Sequence, residues 1–399
     1  MFNFSATPPL SLYIHIPWCV RKCPYCDFNS HEARGGIPEQ DYIRALLADL
    51  EQDLPSVWGR SVETVFLGGG TPSLFSPQGI EKLLGEVRAR IPLKPAAEIT
   101  LEANPGTVDQ ARFSGFRQAG IYRLSMGIQS FQDDLLCAIG RIHNAQDAIS
   151  AVEAARSAGF DNFNLDLMFG LPGQTVTQAL ADLQQAIQLE PAHLSWYELT
   201  IEPNTWFHRH PPERPADDTL LMMQAQGQAL LGDAGYQRYE VSAFARPGRQ
   251  CRHNLNYWQF GDYLGIGAGA HAKITAAATQ SVRRIAKLKH PRSYIDSAHK
   301  ATCISSSDEL SVADVILEFV MNGLRLDAGF TSADFSAATG LSWSHFEPQL
   351  NDAIEKGWLS ENNGRIRTTL KGQRYLDELL QQWLCLLYTS DAADDVSTV

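Results

Sequence analysis

The sequence predicts an α/β fold: an open, partial (β/α)6 barrel followed by a small C-terminal helical, winged-helix-like unit. Strand-like and helix-like stretches alternate six times between residues 10 and 235, a spacing that favours βαβ units on a parallel sheet. Six units are too few to close an eight-stranded barrel. From Asp308 onward the pattern changes to three helices and a hairpin.

Strands are expected at 10–16, 62–67, 97–103, 122–127, 162–168 and 194–200, with helices at 38–54, 76–90, 107–119, 144–158, 174–189 and 217–234. Val62 to Leu67 and Leu194 to Leu199 are rich in apolar, β-branched and aromatic residues, as strands covered on both faces require. Residues 239–245 read as one more strand, which takes the barrel unit to about residue 270. Residues 271–305 turn polar and carry a basic run from Arg283 to Arg292, so they are expected as a connecting segment. The C-terminal unit, 306–384, has helices at 308–323, 331–338 and 343–356, a turn at Asn362-Asn363-Gly364 and a last helix at 370–384. Cys385 to Val399 breaks every earlier pattern and is expected to be a disordered or non-native tail.

Composition narrows the function. The 399 residues are 44% hydrophobic and 20% charged, ordinary globular material. A net charge of −12 argues against general affinity for nucleic acid or anionic membrane. With no basic recognition helix, the winged-helix-like unit reads as a lid or docking element. No run approaches the ~18 apolar residues of a membrane-spanning helix, and no basic-then-apolar leader opens the chain, so a cytoplasmic protein is expected. Seven cysteines, an odd count with three clustered, do not suit a disulfide framework.

Those three, Cys19, Cys23 and Cys26, follow the first strand at C-x3-C-x2-C spacing, with Pro17 and Pro24 barring regular helix. Three thiolates can hold three irons of a [4Fe–4S] cluster and leave the fourth open to a small chelating molecule. A zinc set completed by His15 and His31 is the competing reading. In barrels of this kind functional residues gather where strands end. Gly68-Gly69-Gly70-Thr71 follows strand two, Glu102 ends strand three and Gln129 strand four, while Arg141 follows in Gly-Arg-Ile-His and Asp166 lies in strand five. Glu102 in a buried strand is paired with a neighbour such as Arg123 or faces a ligand.

The run Tyr13-Ile-His-Ile-Pro-Trp-Cys-x3-Cys-x2-Cys-Asp-Phe28 resembles the radical S-adenosylmethionine (SAM) superfamily, and within it the oxygen-independent coproporphyrinogen oxidase group. The resemblance covers residues 10–384 and implies that Cys19, Cys23 and Cys26 ligate a [4Fe–4S] cluster. It also implies that Tyr13, Gly69, Gly70, Thr71, Glu102, Gln129, Arg141 and Asp166 lie at SAM-contact positions. His253-Asn-Leu-Asn-Tyr-Trp258 is similar to the motif of the heme-chaperone branch, which makes His253 the expected heme ligand, although a satisfied structural histidine is the commoner case. On that branch the partners are heme and acceptor hemoproteins, and the acceptor's identity, membrane docking, oligomeric state and SAM cleavage all stay open. The alternative is coproporphyrinogen dehydrogenation through a 5′-deoxyadenosyl radical. Against it, Phe28 stands where that enzyme has a further cysteine.

Overall fold

The structure is a computed structural model that describes residues 1–391, with side chains described through Leu384. The six expected strands form as β1 (Leu10–Ile16), β2 (Val62–Gly69), β3 (Leu93–Ala103), β4 (Arg123–Gln129), β5 (Phe163–Phe169) and β6 (His193–Glu198). The helices between them are α1 (Glu39–Asp53), α2 (Pro77–Arg90), α3 (Gln110–Gln118), α4 (Ala145–Ser157), α5 (Val176–Gln188) and α6 (Asp217–Asp233). Side-chain caps fix several starts: Ser76 opens α2, and capping boxes from Asn144–Asp147 and Thr175–Gln178 open α4 and α5. Neighbouring strands from β1 to β6 are all parallel. Their register sets Ile16 beside Gly69, Glu102 beside Ser125, and Gly127 beside Asp166. The polar residues therefore collect at one end of the sheet.

The sheet extends beyond the expected six strands. Residues 239–245 are not one strand but an antiparallel pair, β7 (Gln237–Glu240) and β8 (Ala243–Ala245), which adds to β6. After α7 (Arg252–Trp258), β9 (Asp262–Ile266) lies parallel to β1 on the side away from β2. The stretch 271–305, expected as a connecting segment, instead carries β10 (His271–Ala276), β11 (Ser281–Lys287), α8 (Pro291–Ala298) and β12 (Ile304–Glu309). The resulting twelve-stranded order is β12-β11-β10-β9-β1-β2-β3-β4-β5-β6-β8-β7. Polar composition misled here because the charges are satisfied internally. Lys287 is buried and meets Asp49 at 2.5 Å and Asp53 at 2.9 Å, both on α1, while Tyr294 donates to Asp49 at 2.6 Å.

The C-terminal unit holds α9 (Val312–Gly323), α10 (Ser332–Thr339) and α11 (Glu347–Glu355), then the hairpin β13 (Leu359–Asn362) and β14 (Arg365–Thr368). Asn363 and Gly364 both have positive φ, 52° and 72°, as a type I′ turn demands. A short helix, Leu370–Arg374, precedes α12 (Leu376–Asp391), so the last helix continues past 384, where it was expected to end. The remainder of the tail, 392–399, lies outside the described residues. Phe4 joins this unit's hydrophobic cluster, and Asn3 N donates to Gly340 O at 2.7 Å. Phe4 and the helix carrying Leu379 and Trp383 thus share one small core.

Asp49→Ala leaves Lys287 without its nearest buried partner, and removing one member of a buried pair costs about 3–5 kcal/mol. Urea unfolding should show a loss of that order; a loss below about 1 kcal/mol would mean that the α1–β11 contact is replaceable.

Candidate functional site

The cysteine loop closes on itself before it meets the barrel. Trp18–Cys19 pairs in parallel with His31–Glu32, and Ala33 N donates to Cys19 O at 2.9 Å. The glycine turn after β2 then grips the loop, with Gly70 N donating to Ile16 O at 2.8 Å and Thr71 N to Trp18 O at 2.7 Å. A Cβ on Gly70 would stand 2.6 Å from the Trp18 carbonyl oxygen; one on Gly69, whose φ is 116°, would enter the His15 ring. The glycines do more than admit a ligand: they let two loops touch.

Cys19, Cys23 and Cys26 line a cavity of about 150 Å3 together with Gly69, Gly70 and Thr71. Glu102, Gln129, Arg141 and Asp166 form its other walls. Each wall residue has a local cause. Between Gly127 and Gln129 the register slips, and Gln129 takes φ 71°; such a bulge re-aims a side chain. Its Oε1 accepts from Tyr197 at 3.0 Å. Arg141 donates to Gly127 O at 2.6 Å and reaches Cys23 Sγ at 3.6 Å, while its buried Nε has no partner among the described residues. His143 completes that segment by meeting the bulged Ile128 carbonyl at 3.0 Å.

Charge in this cavity is not balanced by the protein. Glu102 accepts from Gly69 N at 3.0 Å and forms no ion pair among the described residues, so the pairing with Arg123 is not seen. Burial pushes its carboxyl up to about 8, with Asp166 adding to the rise. Asp166 is itself raised by burial, against hydrogen bonds from Asn164 at 2.7 Å and Ser125 at 3.3 Å. Burial also raises the Cys19 and Cys26 thiols. A cavity lined by two guanidiniums, Arg21 and Arg141, neither in an ion pair among the described residues, and by two raised carboxyls fits a ligand carrying both an anionic and a cationic end.

Tyr13 lies one layer away. Its hydroxyl meets His15 Nδ1 at 3.0 Å, and it lines a second cavity of about 760 Å3 that shares Cys26, Gly69 and Glu102 with the first. His253 joins neither cavity. It is 1% exposed, with Nδ1 at 2.7 Å from Thr64 Oγ1, Nε2 at 2.9 Å from the Tyr257 hydroxyl, and its ring stacked on Phe66. Burial lowers its pKa to about 3. Both nitrogens are engaged, so in this arrangement neither is free for an iron.

Neither candidate zinc histidine is available. His15 is held by Tyr13 and by Asn29 O at 2.8 Å, and His31 contacts Asn29 Oδ1 at 3.3 Å. Among the described residues no three His, Cys, Asp or Glu groups gather closely enough for a single metal ion. A cubic cluster makes a different demand, since each thiolate binds its own iron. Tyr25, Tyr197 and Ser125 also line the smaller cavity and were not singled out from sequence. Tyr197 was within reach: strand alternation turns Ser195 and Tyr197 to the face opposite the buried Leu194 and Trp196.

A partial barrel with three thiols and a dipolar cavity at its strand ends defines a radical SAM protein, and residues 13–186 match the Radical SAM superfamily. Residues 310–375 match the HemN C-terminal domain. The heme chaperone HemW of Haemophilus influenzae is 52% identical over 94% of this chain and 98% of its own length. HemW of Escherichia coli K12 is 50% identical over 94% and 98%, and that of Bacillus subtilis 34% over 94% and 99%. The chain belongs to the HemW family of radical SAM proteins. Its fold is that of E. coli coproporphyrinogen III oxidase (HemN), with a TM-score of 0.79 at 23% identity over 94% of this chain and 90% of that one.

The family carries a [4Fe–4S] cluster and SAM, and the donor set fits both. Cys19, Cys23 and Cys26 would hold the cluster, Arg141 suits a carboxylate, and Glu102 and Asp166 suit cationic or hydroxyl groups. When bound, the cluster would supply the electron for any reductive cleavage of SAM.

Two measurements check this site. Cys23→Ala should lose the cluster, read as iron and acid-labile sulfide after anaerobic reconstitution; full retention would remove Cys23 from the ligand set. Glu102 has a folded pKa above its ordinary 4.5, so its stabilising proton is fully present below about 4.5 and lost as pH rises through about 8. Cluster-free Glu102→Gln should therefore gain on wild type across that window, by on the order of 5 kcal/mol in urea unfolding, and the reconstituted variant should bind SAM at least tenfold more weakly. A pH-independent difference would mean that this carboxyl is solvated.

Proposed function

We propose that this chain binds a [4Fe–4S] cluster, SAM and heme in the cytoplasm and hands heme to acceptor hemoproteins. The observation that carries the reading is the joining of two cavities: a small one with the thiols, and a larger one with aromatic walls that shares Cys26 and Glu102 with it. The high identity to proteins named heme chaperones over nearly their whole length supports it. Among the described residues no helix is long and apolar enough to cross a membrane, so an acceptor at a membrane would be met by docking. Cys26, Phe28, Ser30, Gly69 and Glu102 line both cavities, and Tyr13 and His15, tied to the cysteine loop through Asn29, line the larger. Filling the smaller cavity would thereby bear on the wall of the larger one.

The dehydrogenase alternative shares the fold, but Phe28, 61% exposed, lines both cavities where that enzyme has a cysteine. Anaerobic incubation of reconstituted protein with heme, and separately with coproporphyrinogen and SAM, distinguishes the two. Saturable heme binding followed by transfer to an apo-hemoprotein, without coproporphyrinogen loss, is expected. Coproporphyrinogen consumption with no saturable heme binding would reverse the conclusion.

A further inference from the structure

The larger cavity holds groups that the cluster and SAM site leave unused. Tyr257 and Trp258 of α7 and Tyr263 of β9 face it from one side, and Phe28 of the cysteine loop from another. Aromatic faces suit a flat conjugated ring. Lys22 and Lys289, both exposed, bring positive charge for carboxylate substituents. At about 760 Å3 the space lies within the ~300–1,000 Å3 of ligand and cofactor sites.

Three histidines line this space: His15, His31 and His271. Tyr13 and Asn29 occupy both nitrogens of His15. His31 meets Asn29 Oδ1 and the Lys289 backbone, and packs edge-on against His290. His271 differs. It opens β10, is exposed, and forms no side-chain hydrogen bond among the described residues. Partial burial, then Arg284 and Lys289, lower its pKa, which keeps the imidazole in the neutral form that ligates metals. Arg284 is already paired with Glu318 at 2.6 Å, whereas Lys22 and Lys289 form no ion pair among the described residues.

Resting on the heme-chaperone reading, we propose that the larger cavity is the porphyrin site and that His271, not His253, is the protein ligand to its iron. His253 then acts as a positioning residue. Its hydrogen bond holds the Tyr257 ring, which is part of the cavity wall, while Thr64 on β2 anchors its other nitrogen. A ligand to iron must have a free nitrogen, and His271, which lines the cavity, has no side-chain hydrogen bond among the described residues.

The test is an anaerobic heme titration of the full, cluster-reconstituted chain, read by Soret absorbance and electron paramagnetic resonance. His271→Gly should move the Soret band and weaken binding at least tenfold, and added imidazole should restore the wild-type band. His253→Gln should keep the wild-type band position while weakening binding through Tyr257. A wild-type band and affinity in His271→Gly would overturn the assignment and leave the chaperone reading standing. A folded His253→Gln that alone loses the band would return the iron to His253. No saturable binding by wild type would sink both proposals together.

Discussion

Two backbone hydrogen bonds, from Gly70 N to Ile16 O and from Thr71 N to Trp18 O, fix the cysteine loop against the barrel. They require backbones closer than any side chain at position 70 would permit. Through them the thiols, which sit on a loop whose regular structure is one two-residue strand pair, acquire the rigidity of β1 and β2. A cluster site needs that, because ligands on a loose loop would pay the ordering entropy at each assembly. The same contact places His15 against Gly69, and His15 in turn holds Tyr13 and the Asn29 carbonyl. One short contact therefore reaches both cavities.

The barrel strands were legible because they are buried on both faces and read as apolar runs, Val62 to Leu67 above all. The polar site residues were legible for the opposite reason: Glu102 and Asp166 stand out in strands that otherwise avoid charge. What sequence concealed was compensation at a distance. Lys287 looked like a solvated basic run because Asp49 and Asp53, its partners, lie more than two hundred positions earlier. His253 shows another limit. Its motif is readable, but only the fold shows that Thr64 and Tyr257 occupy its nitrogens.

Below the site the barrel interior is polar rather than oily. Asp166, Asn164, His193 and Tyr239 form a hydrogen-bonded chain across β5, β6 and β7, with His193 at 2.7 Å from Asn164 and 2.8 Å from Tyr239. Networks of this kind set orientation more than they add stability. Here the chain orients Asp166 from beneath, while the cavity holds its other side, so the carboxyl has little freedom to turn away.

β1 is the first strand of the sheet to be synthesised and gains its second neighbour only when β9 is made, which ends at Ile266. At roughly 5–20 residues per second the ribosome leaves that edge open for roughly 10–50 s. During this interval the cysteine loop also lacks the two carbonyls, Ala268 O and Lys289 O, that Asn29 later binds. Until both are made, the Asn29 side chain lacks the partners that hold the loop against that side of the barrel. After β9 docks, the same loop is held from both sides.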